Sequence, residues 1–423
     1  MVDLLALLLV VASGPAAYAW LDQTHPGPIA AQSPTATPTP ATSPSAPPGT
    51  SGSPSASQSV AMVKGNGTWA GTGSLPQPVW AGASVLLHDG RVMVVGGSSS
   101  KASEHAVATA SIFDPATGQW SAVTPMLQPR TKPEAVTLAD GSVLVAGGMR
   151  NGQPLDTAER YFPATGTWVA AGRLNLPRTE GSLTLLQDGR VLASGGGIEG
   201  APGWAATASA EIFDPAIGEW TITAAMSVAR ANATATLLPD GEVLVAGGEN
   251  TFEASSGSVT ATAEIFSPRL NGWRPAGSMT KPRYSAGAVL LPDGRVLVAG
   301  GWYSEKVSDK SHNTTEIFDP ATGHWTAATP MTSPRAQHAL LDLPDGRVLA
   351  VGGVDTSNKI FIGTEMYDPV TGTWRQAQPL GLAVILPAVQ VLLDGRVLVA
   401  GGGLNVTGTR LTAACQLYSP AAR

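Results

Sequence analysis

From Trp69 to Pro420 the chain consists of short apolar runs, each closed by Gly, Pro or Asp, and the same succession of runs is repeated seven times. One unit shows the pattern. Ala286-Gly287-Ala288-Val289-Leu290-Leu291 predicts a first strand, and the Asp293-Gly294 pair after it predicts a two-residue hairpin turn. Arg295-Val296-Leu297-Val298-Ala299 predicts a second strand, ended by Gly300-Gly301. Ala263-Glu264-Ile265-Phe266 in one unit and Glu316-Ile317-Phe318-Asp319-Pro320 in the next predict the third. Pro320-Ala321-Thr322-Gly323 then turns the chain into a fourth strand at Trp325.

The spacing is regular enough to define a repeat. Asp-Gly recurs at Asp89, Asp140, Asp188, Asp240, Asp293, Asp345 and Asp394, each seven residues ahead of Gly-Gly and twenty after a Trp (Trp69, Trp120, Trp168, Trp220, Trp273, Trp325, Trp374). A period of about fifty residues signals stacked supersecondary units, and four antiparallel strands per unit predict a propeller blade. Gly-Gly, then an aromatic, then Trp six or seven residues beyond it, resembles the kelch family, as in the central domain of galactose oxidase and in kelch-repeat binding proteins. The resemblance implies an all-β, seven-bladed kelch-type β-propeller and leaves the activity open, because propellers host unrelated functions. Closure is predicted from the ends of the array. A lone fourth strand around Trp69 opens it, and a third strand, Gln416-Leu417-Tyr418-Ser419-Pro420, ends it, so the N-terminal strand should complete the last blade.

Ahead of the propeller, assigned to residues 61–423, the character changes. Leu4 to Ala12 is an apolar run followed by Ala17-Tyr18-Ala19, which resembles a signal-peptidase site. Residues 1–19 are therefore read as a cleaved signal peptide or an uncleaved membrane anchor. The positive n-region is missing, with only Asp3 beside the run, so a misassigned start or an absent upstream segment is expected. Residues 20–60 are read as a disordered stalk, since Gln32 to Gln58 is almost wholly Ser, Thr, Pro, Ala and Gly. A secreted or envelope-anchored, extracytoplasmic protein is the expectation. A formal net charge of -6 without Lys/Arg runs disfavours nucleic acid and anionic membrane faces as partners. The single cysteine, Cys415, excludes an internal disulfide framework.

Most side chains that attract notice belong to the repeat. Arg130, Arg178, Arg230, Arg283 and Arg335 follow their Trp by ten residues, and the same five units begin the third strand with Glu159, Glu211, Glu264, Glu316 and Glu365. The two remaining units carry Val79 with Ser111 and Val384 with Gln416, so Arg and Glu are present or absent together. Five ion pairs inside blades, each crossing Gly-Gly, are expected, because either charge alone would be costly to bury. The tryptophans and the aromatics two residues before each Pro are expected in the interblade core, and Cys415, in a slot otherwise filled by Ala or Thr, as a buried thiol.

What varies is the loop after Gly-Gly, and that face is the candidate site. It offers Trp302, Tyr303, Trp204, Phe252 and Phe361, with Glu249, Asn250, Lys306, Asp309, His312 and Asp355 near them. Twelve residues after each Trp, at the channel mouth, stands a second irregular set that includes Lys132, Glu180, Asn232, Ser285 and Gln337. Tyr284 and His338 flank it. Lys132, Glu180, Asn232, Tyr284, Trp302, Tyr303, Gln337 and His338 are the candidate binding residues for a glycan or an extracellular or envelope protein. No cofactor, no metal and no catalytic residue is assigned, and a monomer is expected. A galactose-oxidase-like copper site would need two His, two Tyr and a Cys linked to one Tyr, and the only Cys lies in a core slot. A glycan-processing enzyme of the epimerase or lyase kind is the alternative, with Lys132, Glu180 and His338 as acid and base. Convergence of those groups would favour it.

Overall fold

The structure, a computed structural model, describes residues 67–100, 105–200, 203–250, 259–305 and 308–420. The segments read as signal and stalk, together with Phe252 and Lys306, lie outside the described residues. Within them the chain is all β, and seven antiparallel sheets stand around one axis, six of four strands and one, in blade two, with the short Met149–Arg150 strand as a fifth. In blade five, Gly287–Leu290 pairs with Val296–Ala299, that strand with Thr315–Asp319, and that in turn with His324–Ala328. The first strands of neighbouring blades touch right round the ring, so they line the channel and the fourth strands face outward. Closure follows the expectation from the ends of the array. Thr68–Thr72 is the outer strand of blade seven, paired with Cys415–Ser419 from Thr68↔Ser419 to Thr72↔Cys415.

Small side chains and period-two alternation let the blades stack face to face. Ala83, Val85 and Leu87 of blade one pack on Val143, Val145 and Tyr161 of blade two, whereas Leu86, Val92 and Val94 pack back on Leu398 and Ala400 of blade seven. Each Trp of the fourth strand lies opposite the aromatic of the third at 5.0–5.2 Å between ring centroids. In Trp168, Trp220, Trp273 and Trp325 the indole N–H reaches the preceding blade, as Trp325 Nε1 donates to Ala276 O at 2.8 Å. The repeated aromatics thus serve the scaffold, and Cys415 is buried among them at 3 % exposure.

The Asp-Gly hairpin is longer than expected. A two-residue type I′ turn would need positive φ at both residues, yet Gly294 has φ +84° and Asp293 is not left-handed. The Gly294 amide donates to Leu291 O and the Leu291 amide to Arg295 O, which closes a turn of three residues with glycine in the left-handed place. Asp293 fastens it, accepting from the Arg295 backbone amide at 3.1 Å and from Arg295 Nε at 2.8 Å.

Candidate functional site

The five arginines are scaffold. Arg130, Arg178, Arg230, Arg283 and Arg335 lie 2.6–2.8 Å from Glu159, Glu211, Glu264, Glu316 and Glu365, with every side chain at most 5 % exposed. Each Arg crosses the first glycine of Gly-Gly and donates to its carbonyl, as Arg283 Nη1 does to Gly300 O at 2.7 Å. Each Glu also accepts two backbone amides from the segment entering the blade; for Glu316 these are Thr280 and Lys281. Blade seven keeps half of the device, since Gln416 Oε1 accepts the amides of Gly381 and Leu382 where there is no arginine.

With the arginines removed from consideration, the channel mouth stands out by its backbone. Ala81, Lys132, Glu180, Asn232, Ser285, Gln337 and Leu386 occupy one equivalent place in the seven blades, and all have φ between 49° and 61°. A left-handed place selects glycine on steric grounds, and here seven different side chains hold it. Main-chain bonds pass from blade to blade through this ring. The amide of Ala81 donates to Leu386 O at 3.1 Å, Lys132 to Ala81 O at 2.9 Å, Asn232 to Glu180 O, Ser285 to Asn232 O and Gln337 to Ser285 O.

A second ring lies against the first. The residue just before each left-handed place pairs with the residue just after Gly-Gly, as in Ala231↔Glu249, Tyr284↔Trp302 and Ala336↔Val354. That pairing brings Glu249 over the mouth. Lys132 Nζ lies 2.6 Å from Glu180 Oε1, and Asn232 Nδ2 bridges two carboxylates, donating to Glu180 Oε2 at 3.2 Å and Glu249 Oε1 at 2.7 Å. From blade five the hairpin of Trp302–Glu305 and Ser308–Ser311 adds Asp309, which accepts from Ser304 Oγ at 2.6 Å and is hydrogen-bonded by Tyr284. Burial pushes the Glu249 carboxyl up to about 8; the Asn232 hydrogen bond and Lys132 oppose this, while Glu180 and Asp309 add to it. Burial likewise raises the Tyr284 phenol, and the same carboxylates reinforce the shift. The opposite arc is apolar, with Trp80, Ala81, Ile385, Leu386 and Val354 packed together under Trp302 and Ile360.

Lys132, Glu180, Asn232 and Tyr284 therefore come together, and Ser285 and Gln337 continue the same ring. The remaining candidates are placed differently. His338 is 2 % exposed, wedged where Cβ atoms on Gly287 or Gly300 would strike its ring, and neither ring nitrogen has a hydrogen-bond partner. Burial, with Arg335 and Arg283 nearby, pushes it down to about 3, so it is neutral and apart from the Lys132–Glu180 pair. Tyr303 stacks on His312 at 4.1 Å, Phe361 lies under Arg335 at 4.8 Å, and Trp302 packs on the apolar arc built by other blades, so each of these aromatics is engaged in packing. Glu249 is the residue that sequence reasoning undervalued. Its signal is position, an acid directly after Gly-Gly where the other blades carry Ser98, Met149, Gly197, Trp302, Val354 and Gly403.

Among the described residues no three His, Cys, Asp or Glu side chains are grouped to hold a metal ion. On the opposite face a groove of about 460 Å³ runs between blades three and four, lined by Gln187, Asp188, Arg190, Asp240, Glu242 and Arg269. It is made of the Asp-Gly turns themselves, and Asp188 is already bonded to Arg190. The channel mouth, where buried charge is gathered, is the better candidate.

Comparison with known proteins agrees with this architecture. The Kelch motif family model matches residues 80–127, 135–175, 282–332 and 343–381. The chain is 29 % identical over 141 residues to Kelch-like protein 26 of Danio rerio, covering 33 % of this chain and 22 % of that one. It is 29 % identical over 123 residues to Beta-scruin of Limulus polyphemus, covering 28 % and 13 % of the two chains. To Spermatocyte protein spe-26 of Caenorhabditis elegans it is 27 % identical over 127 residues, covering 29 % and 21 %. The chain thus matches less than a quarter of the length of each of these relatives. Among solved structures, a fungal alcohol oxidase of the AA5 family in complex with copper superposes with a TM-score of 0.67 at 18 % identity, over 84 % of this chain and 76 % of that one. YjhT superposes with a TM-score of 0.56 at 15 % identity, over 73 % and 99 %. Both show the shared fold.

Proposed function

We propose that this kelch-repeat β-propeller is a protein-recognition module that works outside the cytoplasm and grips its partner with the channel-mouth face. The observation that carries the reading is the ring of left-handed residues. Seven equivalent positions are held where glycine would cost least, yet they bear seven different side chains, a pattern that scaffold stability alone does not call for. Strain of this kind is tolerated where a side chain must be presented. The partner is an extracellular or envelope protein, or a glycan carried on one. Protein is favoured because Tyr303, Phe361 and Trp302, which would form a sugar platform, are engaged by His312, by Arg335 and by the apolar arc. Placement outside the cytoplasm rests on the apolar run and small-x-small pattern before residue 20 and on the Ser/Thr/Pro-rich stretch after it.

The test is capture of envelope and extracellular fractions, and in parallel of a glycan array, on the immobilised full-length protein. Asn232→Ala and Gln337→Ala should weaken capture, and Asp240→Ala on the opposite face should leave it unchanged. The reverse pattern would place the site elsewhere.

A second reading has its own support. Lys132, Glu180 and Glu249 converge, and two carboxylates bridged by one amide, with burial raising the Glu249 carboxyl, are an arrangement that suits acid and base work in glycan processing. Conversion of a free sugar that disappears in Glu249→Gln would support it.

A further inference from the structure

The polar arc of the mouth is out of charge balance. Facing one another there are the carboxylates of Glu180, Glu249 and Asp309, the Lys132 ammonium and the Tyr284 phenol. Among the described residues three acids stand against one cation in a place where Glu180 and Glu249 are only 4 % and 5 % exposed. Uncompensated buried charge is costly, and a proton on Glu249 is one way to lower that cost. A second observation points to a missing group. Ser285 is 6 % exposed and its hydroxyl has no hydrogen-bond partner. Its φ of 49° and its amide bond to Asn232 O repeat the geometry of Asn232, so its Cβ leaves the backbone toward the same mouth that Asn232 and Glu180 enter. Carboxylate acceptors outnumber donors, and the arc is poised for a ligand that brings hydrogens and positive charge together.

We infer that the mouth takes a cationic side chain, arginine or lysine, presented by the protein partner, with Glu249 and Glu180 as its carboxylate ligands and Ser285 as a further acceptor. The inference rests on reading this face as a binding surface and names what enters it. The incoming cation takes the place of the proton on Glu249, so that proton leaves to solvent as the complex forms. Lys132 competes for Glu180 and tempers the affinity.

The experiment titrates the full-length protein with acetyl-Gly-Arg-Gly-amide and, as an uncharged isostere, acetyl-Gly-citrulline-Gly-amide, using calorimetry; maltotriose serves as the neutral hydroxyl ligand. Arginine peptide should bind at least about tenfold more tightly than citrulline peptide. Its affinity should rise about tenfold between pH 7 and 9 as Glu249 loses its proton, and Glu249→Gln should both weaken binding and flatten that dependence. Lys132→Met should strengthen binding, an effect of opposite sign that a damaged fold would not produce. Equal binding of the two peptides, a pH dependence unchanged in Glu249→Gln, or maltotriose binding that Glu249→Gln abolishes would each overturn the inference. Partner capture that survives Glu249→Gln while the arginine peptide fails would overturn the cation and leave the recognition face standing.

Discussion

Converting blade five to the chemistry of blade seven tests the Arg–Glu device at its weakest assumption. Arg283 and Glu316 are each 1 % exposed, and burial presses the guanidinium below the usual arginine range with Glu316 opposing. Arg283→Val deletes a charge-assisted bond and strips Gly300 O and Thr314 O of their guanidinium donor, but Glu316 keeps the amides of Thr280 and Lys281. Glu316→Gln keeps an acceptor for those amides, as Gln416 does in blade seven, and leaves the guanidinium buried without its counter-charge. Each single change should cost about 3–5 kcal/mol, the usual loss when one member of a buried pair is removed. The double change leaves no buried charge, and its cost should shrink to about 1–3 kcal/mol for the weakened carbonyl bonds. The coupling in a double-mutant cycle should therefore be at least about 3 kcal/mol, read from urea unfolding followed by tryptophan fluorescence. Additive effects would refute the reasoning and return all five arginines to the ligand-binding candidates.

Two further outcomes are expected. A chain beginning at Gly82 should melt well below one beginning at Val60, because it lacks the Thr68–Thr72 strand and opens blade seven; Trp69→Ala alone should cost about 2–4 kcal/mol, and equal melting of the two truncations would sink the closure argument. Gly294→Val should lower stability by more than about 1 kcal/mol, because a β-branched residue is forced to φ +84°, whereas Asp293→Ala should cost less at neutral pH. Burial alone would raise the Asp293 carboxyl, yet the side-chain and amide hydrogen bonds of Arg295 hold it below the usual range. That contribution is present above the unfolded value near pH 4 and is lost as pH falls through the folded one, so the Asp293→Ala deficit measured by melting should vanish in acid.

The fold was legible because each blade restates its strand pattern, its turn and its Trp, and because Arg and Glu vary together in a way that only contact explains. The turn type was not legible, since Asp-Gly serves a two-residue and a three-residue hairpin alike and the φ of Asp decides between them. The channel mouth was half legible. Irregularity twelve residues after each Trp marked Lys132, Glu180 and Asn232, but a left-handed backbone usually announces itself by glycine, and here it does not. Glu249 came into the site through a single backbone bridge to Ala231, which spacing alone does not reveal. His338 follows Gln337 directly, yet its side chain turns between blades instead of into the mouth, a matter of strand alternation at a position where the other blades carry Gly, Pro or Ala.

The main-chain lacing of the left-handed ring joins amide to carbonyl from blade to blade, and at Lys132, Glu180 and Asn232 side-chain bonds between blades run beside it. Frame and lettering are therefore separate where no such side-chain bond is made. A position whose side chain makes no bond to the next blade, such as Ala81 or Leu386, can be rewritten to another residue that tolerates positive φ without removing the main-chain bond, and the rewriting alters one sector of the mouth. A propeller fastened in this way behaves as a combination lock whose casing is indifferent to the combination, so relatives with the same spacing and different residues at these places should differ in what they grip far more than in how firmly they hold together.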